Sequence, residues 1–188
     1  MQKSIPELHT HNLIITILKP EESHLLATYE RENQVHLAKW EPTRDAVYFT
    51  DADVEKRVKR NFENFRSGSS LSFVGLDKSR SRVICVCNFS NIVYGVFQAC
   101  NLGYSINAND QGKGLMFEML TASIEYLFLE MGLHRIMANY IPSNSRSEKL
   151  LSRLGFEKEG LAKSYLKING SWQDHVLTSK INPSHLSI

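Results

Sequence analysis

Gln111-Gly112-Lys113-Gly114 lies between a run that reads as a strand, Leu102 to Ile106, and one that reads as an amphipathic helix, Leu115 to Glu130. A strand that turns through glycines into a helix makes an anion site. The first N–H groups of the helix have no intrahelical acceptor, the aligned peptide dipoles leave partial positive charge there, and the glycines let a bulky phosphate approach the backbone. Lys113 adds a full charge beside them. Each charge held at an exposed helix start gains only about 0.3–1 kcal/mol, so affinity needs several donors acting together. A pyrophosphate offers enough acceptors to engage them. Simple capping and tight packing also use such turns, so the order of the surrounding elements must decide between the readings.

Two nucleotide motifs are excluded: there is no G-x-x-x-x-G-K-[ST] run, and Gly112-x-Gly114 lacks the third glycine of the dinucleotide fingerprint. Cys85, Cys87 and Cys100 are an odd number of thiols, which disfavours a disulfide framework. No Cys-x-x-Cys pair or nearby histidine pair completes the four ligands that zinc requires, so no metal is expected. The three read as buried thiols acting as small hydrophobes.

The elements carrying these residues must come from 188 residues, which suit one domain spanning 1–188. A chain of that length buries about 70% of the surface that it exposes when unfolded. A hydrophobic share of 42% and a charged share of 22% match an ordinary soluble protein. No segment approaches the ~20 apolar residues of a membrane span. Met1 to His11 has one lysine and no apolar core, so it reads as neither export signal nor anchor, and a cytoplasmic location is expected. A net charge of +2 is too small to argue for DNA or RNA binding. The basic runs Lys56-Arg57, Lys59-Arg60 and Arg80 with Arg82 read as solvated faces.

Leu13 to Leu18 predicts the first strand, and Pro20, Glu21 and Glu22 suit a helix start. Helical pattern runs from Glu22 toward Leu37 and from Ala52 to Phe65, the second capped by Asp51 and ended at Gly68. Between them Lys39-Trp40-Glu41-Pro42 is a loop with an aromatic and a carboxylate. Leu71 to Leu76, Arg82 to Phe89 and Cys100 to Ile106 predict an antiparallel meander. Met116, Met119, Leu120, Ile124, Leu127 and Phe128 recur at helical spacing, so the helix after the glycine turn packs them on the sheet. His134 to Ile141 predicts a strand stopped by Pro142, and Ser145-x-x-Glu148 is a capping box opening a short helix that stops at Gly155. Asn169-Gly170 predicts a closing hairpin within Phe156 to Ile181.

This series resembles the GCN5-related N-acetyltransferases, and it does so over nearly the whole chain. More closely, Leu102-Gly103-Tyr104-Ser105-Ile106, Gln111 to Glu118, His134 to Tyr140, Gly155 to Gly160 and Asp174-His175-Val176-Leu177-Thr178 are similar to the RimJ branch, the ribosomal-protein alanine N-acetyltransferases. The resemblance implies an α/β (α+β) fold: a mixed, mostly antiparallel sheet, flanked by helices, with acetyl-coenzyme A wedged where central strands splay. The family's Q/R-x-x-G-x-G/A pattern falls on Gln111, Gly114 and Met116, the last standing where a small residue is usual. By the same resemblance Gln111, Gly112, Lys113, Gly114, Leu115 and Met116 hold the pyrophosphate. Tyr104, Ser105 and Ile106 bond the pantetheine arm in strand fashion, and Asn144 caps the short helix, holds the cofactor, or does both.

Many relatives place a tyrosine on the short helix to protonate the departing thiolate. Leu151 occupies that position here and cannot donate a proton. Ser147, one turn earlier, is the nearest substitute, and RimL-like members use a serine at the matching position. A hydroxyl satisfying a free helix N–H accounts for Ser147 as well.

The implied activity is acetylation of the N-terminal alanine of a ribosomal protein, its α-amine attacking directly in a ternary complex. An α-amine has a pKa of about 7.7–8.0 against about 10.4 for lysine, so a strong base is less necessary. Glu41, beside Trp40, reads as receiving the amine or relaying its proton, and a solvated glutamate is the competing account. Glu118, inside the long helix, is a weaker choice. An acetyl-cysteine is disfavoured because nothing pairs a cysteine with a local histidine. Two alternatives stay open: a small acceptor such as a polyamine, aminoglycoside or amino acid, or a catalytically weak module that contacts the ribosome. Oligomeric state is not legible.

Overall fold

Side-chain alternation along three central strands sorts the interior into two layers. On β3 (Leu71–Leu76), β4 (Val83–Val93) and β5 (Ala99–Ile106), the residues Phe73, Cys85, Cys87, Phe89, Cys100 and Leu102 share one face. They pack against Met119, Leu120, Ile124 and Leu127 of α3 (Leu115–Leu129). Val74, Leu76 and Val83 form a second cluster with Ala27 and Tyr29 of α1 (Ser23–Leu37) and Val54 and Val58 of α2 (Asp51–Ser67). The computed structural model describes residues 4–186, so the first residues of the Met1 to His11 segment lie outside the described residues.

Eight strands form one sheet in the order β1-β2-β3-β4-β5-β6-β8-β7, with β1 at Glu7–His9, β2 at Ile14–Thr16, β6 at Arg135–Met137, β7 at Glu157–Ile168 and β8 at Ser171–Ile181. Every neighbouring pair is antiparallel except β5 and β6. A parallel pair needs a crossover, and α3 supplies it. β5 and β6 pair only at Ala99–Asn101 with Arg135–Met137. Past that point the chain after β6 leans onto β8: Ala138 N donates to Thr178 O at 3.0 Å, and Tyr140 exchanges bonds with Val176 at 3.1 and 2.8 Å. The two strands therefore part.

The meander of β3, β4 and β5 and the four long elements of α1, α2, α3 and the β7–β8 hairpin agree with the sequence reading. Asn169 and Gly170 both have positive φ, 45° and 78°, as a two-residue hairpin turn demands. Five details differ. β1 has no sequence signal, being three residues long with only Leu8 partly covered. Arg82 to Phe89 is extended to Val93, while His134 to Ile141 shortens to β6, its second half keeping bonds to β8 but none to β5. The cap of α2 is Thr50, whose hydroxyl accepts from Asp53 N, and Asp51 is the first helical residue. The short helix α4 (Ser145–Arg153) is capped by Asn144, whose Oδ1 accepts from Ser147 N at 3.1 Å; Glu148 bonds Lys158 instead, so the capping box does not close.

The loop joining β5 to α3 is anchored from below. Asp110 is 4% exposed and receives Arg82 Nη1 at 2.7 Å and Lys113 Nζ at 2.9 Å. The Arg82 hydrogen bond, opposed by burial and helped by Lys113, holds its carboxyl below the ordinary aspartate range. A depressed pKa contributes stability that is complete above the unfolded value and lost as pH falls through the folded one.

Two stability outcomes follow. A Cβ at Gly75 would lie 2.7 Å from Cys85 Sγ and 3.3 Å from Met119 Sδ. Gly75→Ala should therefore lower the urea unfolding free energy by about 1–3 kcal/mol, and adding Cys85→Ala should recover part of it. Asp110→Asn should cost about 1–3 kcal/mol at pH 7. In denaturant titrations at several pH values, that difference should shrink once pH falls below the ordinary aspartate range.

Candidate active site

The parting of β5 and β6 exposes backbone that a continuous sheet would pair. Asn107 N donates to Ile84 O at 2.9 Å, and the register runs Ile106 opposite Cys85 and Tyr104 opposite Cys87. In an antiparallel ladder, alternate residues turn their peptide groups to the same neighbour. Asn107, Ser105 and Gly103 thus face β4, whereas Leu102, Tyr104 and Ile106 face the gap left by β6. The amide of Ser105 is consequently turned away, and its hydroxyl meets Tyr29 Oη at 2.9 Å. Tyr104 and Ile106 keep N–H and C=O groups on the open side.

The glycine turn stands at the end of the same strand. Gly112 and Gly114 have φ of 75° and 80°, a conformation that costs a residue with a Cβ roughly 1–2 kcal/mol. Nothing lies within 4 Å of a Cβ built at either position, so the space above the turn is open. Gly114 O accepts from Glu118 N at 3.0 Å, which starts the helical ladder. The N–H groups of Gly112 to Phe117 find no acceptor among the described residues. Leu115 and Met116 are 8% and 7% exposed, their side chains in the core, so Met116 does not obstruct the turn. Lys113 is spent partly on Asp110, and with Arg82 it leaves the turn net positive. Gln111 bridges two helices, bonding His36 of α1 at 2.6 Å and Arg146 of α4.

A cavity of about 950 Å³ reaches the gap from the opposite side. It brings Trp40, Glu41, Tyr104, Ser105, Asn144 and Ser147 together, while Ile106 and residues 111–116 lie outside its lining. Tyr104 Oη donates to Ser147 Oγ at 2.9 Å across the mouth of the gap. Burial pushes the Tyr104 hydroxyl up to about 12, against the pull of that bond. Ser147 Oγ, already an acceptor, retains its own proton for a further partner. Asn144 performs the capping, so the Ser147 hydroxyl is not consumed by a free helix amide.

Two carboxylates line the cavity and differ in state. Glu30 is clasped by Arg57 at 2.6 and 2.7 Å, with both side chains largely covered. Arg57 also takes Asp53, Tyr48 O and the face of the Tyr48 ring at 3.8 Å. Glu41 has no ion-pair partner among the described residues. Burial raises its carboxyl above the ordinary glutamate range; Arg44 and Arg57 draw it down and Glu30 pushes it up. Its carbonyl accepts Asn169 N at 3.0 Å, which ties the Trp40 loop to the β7–β8 turn. Glu118 is engaged elsewhere, accepting from Asn12 N at 2.6 Å and Nδ2 at 2.8 Å.

The cysteines stand apart from this chemistry. All three are buried, and burial pushes Cys87 and Cys100 up to about 12 and Cys85 well above its ordinary value. Among the described residues no group of three His, Cys, Asp or Glu is placed to hold a metal. The sequence reading missed the Tyr104 hydroxyl, Arg146, His36 and the Glu30–Arg57 pair. Their partners lie from 27 to 75 residues away, beyond any local spacing signal.

Residues 14–157 match the model of the acetyltransferase (GNAT) domain. The chain is 47% identical over 176 residues to the [ribosomal protein uS5]-alanine N-acetyltransferase of Escherichia coli (strain K12), covering 94% of this chain and 91% of that protein. It is similar to the crystal structure of the ribosomal-protein-S5-alanine acetyltransferase from Vibrio fischeri, with a TM-score of 0.91 and 39% identity over 95% of this chain and 97% of the other. Mycobacterium smegmatis RimJ in complex with CoA-disulfide shares the fold, at TM-score 0.86 and 24% identity over 98% and 89% of the two chains. Unpaired amides at the start of α3, a strand parted from its neighbour and a match that spans both place this chain in the GNAT acetyltransferase family.

Proposed function

We propose that this protein transfers the acetyl group of acetyl-coenzyme A to the α-amine of the N-terminal alanine of a ribosomal protein, uS5 being the acceptor named for two of its relatives. The observation that carries this reading is the 47% identity to the Escherichia coli enzyme, because it extends over 94% of the chain and so includes the cavity walls as well as the anion turn. A cytoplasmic location and contact with the ribosome or its precursors accompany such an acceptor.

The residues present fit the donor. The open amides of residues 112–117 suit its pyrophosphate, Lys113 and Arg146 stand beside them, and the gap-facing peptide groups of Tyr104 and Ile106 suit its amide-bearing arm. Bound there, acetyl-coenzyme A supplies an activated thioester. The chain's own task is to position an amine and manage its proton. Glu41 draws the neutral amine into the cavity and takes the proton that its nitrogen sheds on attack, directly or through water, while Trp40 covers the amine. Tyr104 passes a proton through Ser147 toward the leaving sulfur. Alignment of two bound reactants can supply roughly 7–11 kcal/mol, and one acid or base about 10²–10⁴-fold. Direct attack is favoured over an acetyl-enzyme because the thiols are buried in their protonated form and lack a histidine partner.

Intact-mass measurement after incubation with acetyl-coenzyme A tests the reading. A peptide beginning with Ala should gain one acetyl group, and an N-terminally blocked peptide with a single lysine should gain none; acetylation of the lysine peptide alone overturns the acceptor assignment. The pH dependence checks Glu41. For wild type, kcat/KM should fall tenfold per pH unit below the α-amine pKa of about 7.7–8.0, because only the neutral amine attacks. The fall should steepen to a hundredfold per unit below the raised Glu41 pKa, where the carboxylate is also lost. Glu41→Gln should lower kcat/KM by about 10²-fold or more and abolish the second break.

A further inference from the structure

The cavity continues past the reacting end along a floor with an unusual composition. None of β3, β4 and β5 contains Asp, Glu, Lys or Arg, although 22% of the chain is charged and part of their surface is open to solvent. On the face toward α1 and α2, register places Ser72 beside Asn88 and Asn88 beside Gly103, then Ser90 beside Asn101. Asn61 and Asn64, one helical turn apart on α2, line the same cavity. The side chains of Asn61, Asn64, Asn88 and Asn101 have no hydrogen-bond partner among the described residues; Asn64 offers only its backbone carbonyl, to Ser67 and Ser69.

Neutral amides and hydroxyls both donate and accept, so they pair with a group that does the same and carries no charge. The peptide unit is such a group. A cationic group in the ligand would find no counter-ion on this floor. Arg60, which lines the cavity next to Asn61, opposes a cationic ligand further. From Ser105, at the reacting end, to Asn101 the strand advances by about 13 Å, the length of roughly four extended residues. Resting on the N-terminal acetylation reading above, we infer that Asn88 and Asn101 on the floor, with Asn61 and Asn64 on the wall, bind the main chain of the acceptor's second to fourth residues. The trough reads an extended polypeptide start rather than particular side chains, and a free amino acid or polyamine cannot use it.

The test compares kcat/KM for alaninamide, tetra-alanine amide, and tetra-alanine amide methylated on the nitrogens of residues three and four. Wild type should prefer the tetrapeptide over alaninamide by at least tenfold, and N-methylation should remove most of that preference. In Asn88→Ala/Asn101→Ala the tetrapeptide-to-alaninamide ratio should fall about 10-fold or more, since each neutral hydrogen bond lost costs about 3- to 10-fold. An unchanged ratio in a variant that keeps the wild-type melting temperature overturns the inference. So does equal use of the methylated and parent peptides by wild type, a result that needs no variant to fold. If wild type acetylates neither alaninamide nor the tetrapeptide, the N-terminal alanine reading itself falls, and this inference with it.

Discussion

A buried peptide group without a hydrogen-bond partner is costly, and the centre of this sheet is arranged so that several remain unpaired. β5 pairs with β6 only as far as Asn101, and the chain following Met137 stays bonded to β8 alone. The groups of Leu102, Tyr104 and Ile106 that would have joined the ladder are left facing a gap. Each such group is worth about 1–3 kcal/mol if it stays dry and unbonded. A ligand with amides of its own, inserted lengthwise, satisfies them. The free amides at the start of α3 add a second set beyond the end of that strand, so two sets of open backbone groups, with the paired amides of Asn107 to Asp110 between them, set one line and its direction.

Other features protect this line. Gly112 and Gly114 take the positive φ values that turn β5 into α3, and buried Asp110 fastens the loop from below through Arg82 and Lys113. Gln111 ties the turn to α1 and α4, the helices that also deliver Tyr29 and Ser147 to either side of Ser105 and Tyr104. Positioning of the site is therefore distributed over elements far apart in sequence. That distribution suits a reaction in which alignment of two reactants supplies most of the rate.

Legibility in the sequence follows the range of the interaction. Gln111 to Met116, the α3 stripe and the Asn169-Gly170 turn are governed by neighbours within a few residues, so their types and spacing announce them. Of the two roles open to Asn144, cap or cofactor ligand, the capping bond to Ser147 is local. The capping box at Ser145 was misleading because Lys158, ten residues on, competes for Glu148. Tyr104 was read for its backbone alone, since its hydroxyl partner, Ser147, is 43 residues away. Glu30 carries no sequence signal of its own, since its partner Arg57 lies 27 residues away on α2. That pairing is what leaves Glu41 distinct.

The single unpaired carboxylate also bears on the choice between α-amine and lysine. At pH 7 an α-amine of pKa about 7.7–8.0 is neutral in roughly one molecule in ten, whereas a lysine at about 10.4 is neutral in roughly one in 2,500. Making lysine nucleophilic requires a strong base or deep desolvation of the ammonium group. This cavity offers neither: Glu41 is a half-buried glutamate, moderated by Arg44 and Arg57, and Glu30 is neutralised. Such a group can receive a proton that the amine is nearly ready to lose. It cannot bridge the further two to three pKa units that lysine demands, each worth about 1.4 kcal/mol. On the proposed reading, the limited basicity of the site favours chain termini over lysine.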